Sequence, residues 1–427
     1  MRHRFLTLSF AVMFIAAACG GGGSSGAPTT EGPGGESGAP VESENTFDPA
    51  SISGEVTLGQ WESSPQEGEA LKGAVDAFSA VYPNIKVTQT TIPGDYRAAM
   101  ITKFGASDVP DLFYVNAEYA PEWMSNGFLL SLDDYIQRQG FDTSTFFPDY
   151  LSIFQQDGTT YGLPKDGNTI AMAVNTDLVP NPPTTMDELV QVAQSLKGNK
   201  KIKAPMCLNP ALDRGLAFIY AQGGSLLSDD GSTATIDSAE SKTAVQWYMD
   251  LFKNDLGQTN TQLGDGWCGE ALGKGDVAIV FEGGWLKGAM DAFPDIKWKF
   301  VEMPTGSSGQ KVTINYTAAY AIGTDSVNKD QAWVLMQYLT GPDGMAKWTQ
   351  GGIAVPSRSD VPVPPGFEVI VAGAAYAKPG SGFMPGYPDV QKAFGDEFLK
   401  QVTDKSFDAG PVVDATKKKI DEVLASQ

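Results

Sequence analysis

The stretch "AIVFEGGWLKGAM" occupies residues 278–290. Its first four residues form an apolar run of the length of a buried strand. Glu282 and two glycines follow, and glycines at the end of a strand allow a tight bend and a close approach by another group. The next residue, Trp285, is therefore open to two interpretations: its ring fills a core, or the bend turns the ring toward a ligand.

Strand-like and helix-like segments alternate on both sides of this stretch. The runs at 56–60, 85–89 and 110–115 read as strands. Further on, "TMDE" at 185–188 has the form of a capping box, and Asp237 is the expected N-cap of a later helix. Amphipathic helices are also predicted at 71–82, 96–104, 329–341 and 411–425. This alternation predicts an α/β fold.

The first residues of the chain indicate export. Basic residues precede an apolar run at 5–18, which is too short to span a bilayer and is typical of a signal peptide. The "AAAC" that ends at Cys19 looks like a bacterial lipobox, so we predict a signal peptide at 1–18 and a lipidated Cys19 that anchors the protein to the outer face of the cell membrane. Residues 19–53, rich in Gly, Ser and Pro, would form a flexible tether. The alternative is plain secretion with a free thiol.

The composition limits the possible partners and chemistry. A formal net charge of −21 opposes binding to nucleic acid or to anionic lipid headgroups. The single histidine is His3, inside the predicted signal, so the mature chain lacks the residue needed for Ser-His-Asp or Cys-His catalysis and for His-based metal sites. We therefore expect no metal and no cofactor. A carboxylate pair, as in glycoside hydrolysis, stays open because the chain has 51 acidic residues.

Two cysteines remain in the mature body, Cys207 and Cys268. In an exported chain an even number of cysteines favours a disulfide, and we predict one between them. Two separate buried thiols are the alternative.

Six segments, in this order, resemble the bacterial extracellular solute-binding proteins of carbohydrate importers, the maltose-binding-like family. They are "PDLFYVNAEYAPEWMSNGFLLSLDDY" (110–135), "YGLPKDGNTIAMAVNTDLV" (161–179), "YAQGGSLLSDDG" (220–231), "GKGDVAIVFEGGW" (273–285), "AWVLMQYLTGPDGMAKW" (332–348) and "GGIAVPSR" (351–358). The resemblance covers nearly the whole mature chain. It implies a two-lobed α/β fold of the periplasmic-binding-protein type (class II-like), in which each lobe is a mixed sheet flanked by helices and the ligand cleft lies between the lobes.

The resemblance also implies that both lobes are discontinuous in sequence. We predict an N-terminal lobe from 54–166 plus 318–370 and a C-terminal lobe from 167–317 plus 371–427. The chain would cross between the lobes near 166–168, near 315–318 and near Val371.

What the resemblance implies about function is the capture of a sugar, from a monosaccharide to a short oligosaccharide, and its delivery to the permease subunits of an ATP-binding-cassette (ABC) importer. The protein would be a monomer without enzymatic activity, attached to the membrane only by its lipid. Three alternatives stay open. The chain could bind another small polar solute, such as a polyamine or a sugar phosphate. It could bind a polysaccharide or a partner surface without transport. It could be a secreted glycosidase with a carboxylate pair.

A sugar offers hydroxyl groups and apolar ring faces, so its site needs short polar side chains and aromatic platforms. In the first lobe the candidates follow predicted strands or open a helix at the cleft: Trp61, Glu62, Tyr96, Asn116 and Glu118. Packing over the rim of the cleft is the alternative for Trp61. The family carries a tryptophan where Val115 stands here, so we do not expect a maltodextrin held in the family's manner.

At the crossing and in the second lobe, the family places an acidic or amide contact that Asp166 and Asn168 match, although both residues also suit a turn. Asp213 and Arg214 replace a stacking aromatic residue of the family, and an exposed, ion-paired helix start is their alternative. The family's strand-Gly-Trp element presents its tryptophan to the sugar. Trp285 is therefore predicted to be a stacking platform whose indole N–H is free to bond a hydroxyl group.

Four weaker candidates complete the predicted site. Glu282 would be a second contact beside Trp285. Phe383 and Tyr387 are candidates for aromatic residues at the rim of the cleft. Phe394 replaces a family tryptophan and is either a platform or part of the core.

Overall fold

The computed structural model describes residues 47–62, 65–350, 352, 354–381 and 384–426. The predicted signal peptide, Cys19, most of the predicted tether and Phe383 lie outside the described residues. Within them, no helix combines the length and the apolar character that crossing a bilayer requires.

Strands and helices alternate along the described chain, as the sequence predicts. The strands are β1 Gly54–Gln60, β2 Ile85–Thr91, β3 Leu112–Asn116, β4 Gln155–Gln156, β5 Thr159–Thr160, β6 Leu163–Pro164, β7 Asn168–Thr169, β8 Ala171–Asn175, β9 Ala204–Cys207, β10 Gly257–Gln258, β11 Val277–Glu282, β12 Trp298–Val301, β13 Thr313–Tyr316, β14 Ala318–Ile322 and β15 Ala377–Pro379.

The α-helices of the described chain range from one turn to about five turns. They are α1 Pro65–Val81, α2 Tyr96–Ala106, α3 Ala120–Ser125, α4 Asp133–Gln139, α5 Pro148–Leu151, α6 Met186–Leu196, α7 Leu212–Ala221, α8 Ala239–Lys253, α9 Asn260–Leu263, α10 Cys268–Gly273, α11 Trp285–Met290, α12 Lys329–Thr340, α13 Pro342–Gln350, α14 Glu368–Gly373, α15 Tyr387–Thr403 and α16 Ala409–Ala425.

The first five-stranded sheet has the order β2-β1-β3-β14-β6. β1 is parallel to β2 and β3, whereas β14 is antiparallel to β3 and β6, so the sheet is mixed. Helix α1 packs on it because Leu71, Ala74, Val75 and Phe78, which lie at helical spacing, are all buried. We call this sheet and its apolar core the first lobe.

The second five-stranded sheet has the order β10-β9-β11-β8-β12. The apolar run at 278–281 forms most of β11, which is buried at every position because it lies in the middle of this sheet. β11 is parallel to β9 and antiparallel to β8, so this sheet is mixed as well. We call this sheet and the apolar clusters around it the second lobe.

Two chain passages run side by side between the sheets. β7 pairs antiparallel with β13, so the segment that leaves β6 for β8 lies beside the segment that leads from β13 to β14. Asn315 and Tyr316 are the register partners of Thr169 and Asn168. The residue boundaries given above for the lobes stay a prediction. Phe367 and Ile370, assigned there to the N-terminal lobe, pack in a cluster with residues of the second lobe.

Side-chain caps account for the starts of several helices. Thr185 caps α6, with both hydrogen bonds of the predicted capping box to Glu188 present. The prediction of Asp237 as an N-cap is wrong by one residue: the side chain of Ser238 accepts the Ser241 N–H at the start of α8. Neighbouring residues with equal capping ability make such an error expected.

The predicted disulfide is confirmed, so the alternative of two separate thiols is wrong. Cys207, the last residue of β9, is bonded to Cys268, the first residue of α10, with 5.3 Å between their Cα atoms. The bond therefore ties a strand end to a helix start within the second lobe.

Candidate functional site

A cavity of about 560 Å³ is lined by residues of both lobes and of the passages between them. Seven of the predicted ligand-binding residues line it: Trp61, Asn116, Glu118, Asp166, Asn168, Asp213 and Trp285. The structure thus brings together side chains from positions that span more than half of the sequence.

Trp285 reaches the cavity because the chain turns sharply after β11. A Cβ atom on Gly283 would lie 2.4 Å from the Trp285 ring, so the ring packs directly over a position that has no side chain. The N–H of Gly284 donates a hydrogen bond to Oδ1 of Asn168 at 2.9 Å. Gly283 therefore allows the Trp285 ring to approach the backbone closely, and Gly284 does the same for Asn168. Trp285 is the first residue of helix α11 and is half-buried.

The indole N–H of Trp285 is not free, contrary to the prediction. It donates to Oε2 of Glu282 at 2.9 Å, and Nη2 of Arg214 lies 3.3 Å from the same oxygen. Glu282 is buried behind the ring and does not line the cavity. Burial raises the pKa of Glu282, and the Arg214 charge and the Trp285 hydrogen bond oppose that rise. Glu282 orients the ring from the protein side.

Arg214 links several groups of the second lobe. Its Nη1 donates to Oδ2 of Asp213 at 2.7 Å and to the hydroxyl of Tyr316 at 3.0 Å. Asp213 and Arg214 do form an ion pair at the start of α7, but both side chains are largely buried rather than exposed. Among the described residues, none donates a hydrogen bond to the buried Oδ1 of Asp213. That oxygen therefore has acceptor capacity that the described residues leave unused, although it is shielded from solvent.

A second charged pair lies at the passage from β6 to β7. Nζ of Lys165 is 2.6 Å from Oδ2 of Asp166, and both side chains are buried. The same oxygen accepts the indole N–H of Trp348 at 3.0 Å, and Nζ of Lys165 lies 3.9 Å from the centre of a Trp348 ring. Cation–π contact and ion pairing together compensate the desolvation of this lysine.

Glu118 and Asn116 follow strand β3. Oδ1 of Asn116 accepts the N–H of Glu118 at 2.9 Å, which fixes the turn after the strand. Burial and the nearby Asp213 carboxylate raise the pKa of Glu118 to about 7, against the opposing effect of Arg97, Gln391 and Arg214. A carboxyl group that is partly protonated at neutral pH can donate as well as accept hydrogen bonds.

Trp61 lines the cavity and also packs on the first lobe. It makes edge-to-face contacts with Tyr96 and Tyr114, at centroid distances of 5.1 and 4.7 Å. Tyr96 itself is buried, and its hydroxyl group donates to the carbonyl of Tyr114 at 3.0 Å. Tyr96 thus supports Trp61 and does not line the cavity.

The remaining candidates lie elsewhere. Glu62 is exposed, with its carboxylate against Gly68 in the first turns of α1. Tyr387 is fully buried and donates to the carbonyl of Gly380 at 2.9 Å. Phe394 belongs to the core, where it stacks on Phe398. Phe383 lies outside the described residues.

The sequence-based list missed part of the cavity wall. Glu67, Lys165, Trp267, Tyr316, Thr317 and Trp348 line the cavity as well. Lys165 had a usable signal, since it directly precedes Asp166 at the predicted crossing. Trp348 had none, because its helix lies 182 residues from Asp166, the residue to which it donates. Within the described ranges, no three His, Cys, Asp or Glu side chains are placed to hold a metal ion.

Comparison with known proteins identifies the family of this chain. A family model described as bacterial extracellular solute-binding protein matches residues 62–346. A binding protein of Brucella abortus (strain 2308) is 25% identical over 309 residues, 70% of this chain and 74% of the relative. A maltotriose-binding protein of Pyrococcus abyssi is 24% identical over 373 residues, 82% of this chain and 78% of the relative.

A solved structure shows the same fold. An ABC substrate-binding protein from Listeria monocytogenes, in complex with cycloalternan, superposes with a TM-score of 0.79 at 22% identity, covering 88% of this chain and all of that one. The predicted two-lobed α/β fold class is therefore confirmed. The family model matches more than half of the sequence. The chain therefore belongs to the bacterial extracellular solute-binding protein family, as the resemblance predicts.

Proposed function

We propose that this protein captures a sugar in the cavity between its lobes and delivers it to an ABC importer. The observation that carries the proposal is the position of Trp285, whose ring is fixed at the cavity wall by Gly283 behind it and Glu282 at its N–H. A fixed aromatic face suits the C–H face of a sugar ring, and the ring is oriented before the ligand arrives.

Polar groups of the cavity complement the hydroxyl groups of a sugar. Asp213 and Glu118 both line the cavity, and Glu118 can accept or donate because its pKa is near neutrality. Hydrogen bonds to charged groups are among the stronger ones, and a wrong sugar leaves buried groups unpaired. Relatives support the choice of ligand class, since one is named for maltotriose and one was solved with cycloalternan.

Residues on the two sides of the cavity suggest how capture changes the molecule. Glu118 follows the first sheet, whereas Asp213 and Trp285 belong to the second lobe. A ligand that contacts both sides favours the closed arrangement by the free energy of those contacts. The closed form would then dock on the permease subunits, as a monomer and without chemical change of the sugar.

The family and the sequence near Cys19 support an extracytoplasmic location. The family is extracellular, and the lipobox-like sequence at Cys19 supports an anchor on the outer face of the membrane. Replacing Cys19 by serine should move the protein from the detergent phase to the aqueous phase in a detergent partition of cells that express it. An unchanged partition would contradict the anchor.

A sugar library tests the ligand class. Saturating ligand at 100 times its dissociation constant stabilises the folded state by about 2.7 kcal/mol, which a thermal-shift screen detects. Polyamines and sugar phosphates belong in the same screen. A rise in melting temperature with one of these solutes and with no sugar would overturn the proposal.

A hydrolase is the second candidate, favoured by one observation. Glu118, with a pKa raised to about 7, lines the same cavity as Asp213, whose charge contributes to that rise, and glycosidases use a pair of carboxyl groups. Incubating each sugar that binds with the protein and analysing the mixture for shorter products separates the two functions. Saturable binding without product supports capture, whereas product that disappears in Glu118→Gln supports hydrolysis.

A further inference from the structure

A smaller cavity lies on the other face of the passages between the lobes. It has a volume of about 350 Å³, within the range of small-molecule sites, and Asn315 of β13 lines it. The next residue, Tyr316, lines the proposed sugar cavity. Because neighbouring residues of a strand point to opposite faces, the two cavities lie on opposite sides of β13. We call the smaller one the rear cavity.

Both lobes contribute to the wall of the rear cavity. Residues 147–150 form one part of it, and the residues on either side of them, Phe146 and Leu151, are buried in the apolar core of the first lobe. Val371 lines the rear cavity as well, and it packs against the apolar cluster of the second lobe that contains the disulfide. A molecule in the rear cavity would therefore contact both lobes.

The lining of the rear cavity is mainly apolar, and two of its large apolar side chains are exposed. Alanine, valine, proline and aromatic side chains make up most of the wall. Phe147 is 39% exposed and Val363 is 44% exposed. Exposed apolar side chains are ordinary when they are scattered singly, whereas two of them at one concave surface favour a binding site.

Two aromatic rings and one carboxylate indicate the class of ligand. The rings of Phe147 and Tyr150 meet edge to face, with centroids 6.3 Å apart and an interplanar angle of 80°. Tyr150 is held in place by Gly167, where a Cβ atom would lie 2.3 Å from Cε2 of the ring. Among the described residues that line the rear cavity, Asp149 is the one that carries a charge. Ring faces attract cations and a carboxylate supplies the opposite charge, so this combination suits a cation with an apolar body.

We propose that the rear cavity binds a small organic cation with an apolar body, an amine or quaternary ammonium compound that carries an aromatic or branched aliphatic group. The ammonium group would lie against Asp149 and the ring of Phe147, and the apolar body against Val363 and Val371. This site is separate from the proposed sugar cavity, and its occupation does not depend on which solute the larger cavity takes.

Titration of the full-length protein with benzyltrimethylammonium, followed by NMR of this probe, tests the proposal. Benzyl alcohol lacks the charge and tetramethylammonium lacks the apolar body, so each should bind at least about fivefold more weakly than the probe. Asp149→Asn and Phe147→Leu should each weaken binding of the probe by about fivefold, since one removes the opposite charge and the other removes an aromatic face.

Two control variants separate this site from other effects. Asp157→Asn is the matched control, because Asp157 is an exposed carboxylate from the same part of the chain that does not line the rear cavity. Its φ of 51° is a conformation that asparagine also adopts. Trp285→Ala changes the proposed sugar cavity alone. Both controls should bind the probe as the wild-type protein does, and equal melting temperatures of the wild-type protein and Asp149→Asn should show that the lost affinity is not caused by unfolding.

The outcomes are distinct. Weaker binding in Asp149→Asn and Phe147→Leu, with unchanged binding in both controls, supports the rear cavity as the site. Absence of probe binding to the wild-type protein overturns the proposal, and so does equal affinity for benzyl alcohol. Binding that persists in Asp149→Asn and disappears in Trp285→Ala assigns the probe to the larger cavity and overturns the proposal as well. None of these results requires a sugar, so the proposed function and this inference can fail independently.

Discussion

The indole Nε1 of Trp285 donates a hydrogen bond at 2.9 Å to the carboxylate of Glu282, three residues earlier in the chain. The N–H of the indole is therefore satisfied within the protein. Arg214 contacts the same carboxylate oxygen. Trp285 therefore offers a ligand its aromatic ring face and no free N–H. Stacking and hydrogen bonding by this residue can therefore be separated by mutation.

Trp285→Ala should weaken sugar binding by at least about tenfold, whereas Trp285→Phe should retain most of the affinity because it keeps an aromatic face. Both variants lose the hydrogen bond to Glu282, so both should lower the free energy of unfolding of the ligand-free protein by about 1–2 kcal/mol. Titration calorimetry and urea denaturation measure the two quantities. Equal loss of affinity in both variants would mean that the ring face is not the platform.

Lys165 and Asp166 form a buried pair beside Trp348. Lys165→Met should lower the free energy of unfolding by about 3 kcal/mol, because it leaves the Asp166 carboxylate buried without its cation. The double variant Lys165→Met/Asp166→Asn removes both charges and should recover part of the loss. Urea denaturation of the three variants provides the coupling free energy, and strictly additive losses would show that the pair is not coupled.

Glu118 predicts a dependence of stability on pH. Its folded-state pKa of about 7 exceeds the ordinary value near 4.5, so the folded protein holds this proton more tightly than the unfolded chain does. The resulting stabilisation is complete below about pH 4.5 and is lost as the pH rises through 7. It should amount to on the order of 1 kcal/mol, because solvent reaches part of the side chain.

The matched variant for this prediction is Glu118→Gln, which does not titrate. Urea denaturation between pH 5 and pH 8 should show wild-type protein losing stability relative to the variant as the pH rises. Parallel curves for the two proteins across this range would contradict the raised pKa.

The Cys207–Cys268 bond predicts sensitivity to reduction. It closes a loop with a sequence separation of 61 residues, which corresponds to about 4 kcal/mol of stability in the chain-entropy model. A reducing agent should therefore lower the melting temperature of the wild-type protein. Calorimetry on Cys207→Ser/Cys268→Ser should give a low melting temperature that the reductant does not change, and a reductant effect that persists there would assign the sensitivity to another cause.

The local sequence pattern was sufficient to predict an element where one short segment determines its structure. The apolar run at 278–281 has the length of a buried strand and forms most of β11. Thr185 and Glu188 form their capping box without help from distant residues. The Asp237 error shows the limit, because Asp237 and Ser238 are equally good caps and only the position of α8 distinguishes them.

The sequence predicted those site residues that follow strands or lie in segments resembling the family, and it did not predict the others. Trp348 and Tyr316 meet Asp166 and Arg214 through tertiary packing that no local pattern encodes. Side-chain direction caused the other differences. Glu282 and Tyr96 lie next to the predicted platforms along the chain or in space, yet both point into the protein and support the rings from behind.

The pairing of β14 with β3 has a consequence for how the chain folds. Ala318 is the register partner of Asn116, so the centre of the first sheet stays incomplete until residues 318–322 are available. All five strands of the second sheet come earlier in the chain, between Ala171 and Val301. Pairing over such a distance is slow, and until it occurs one edge of β3 is a template for association with other chains. The segment after residue 317 is thus the part of the sequence whose arrival covers this edge of β3 during folding.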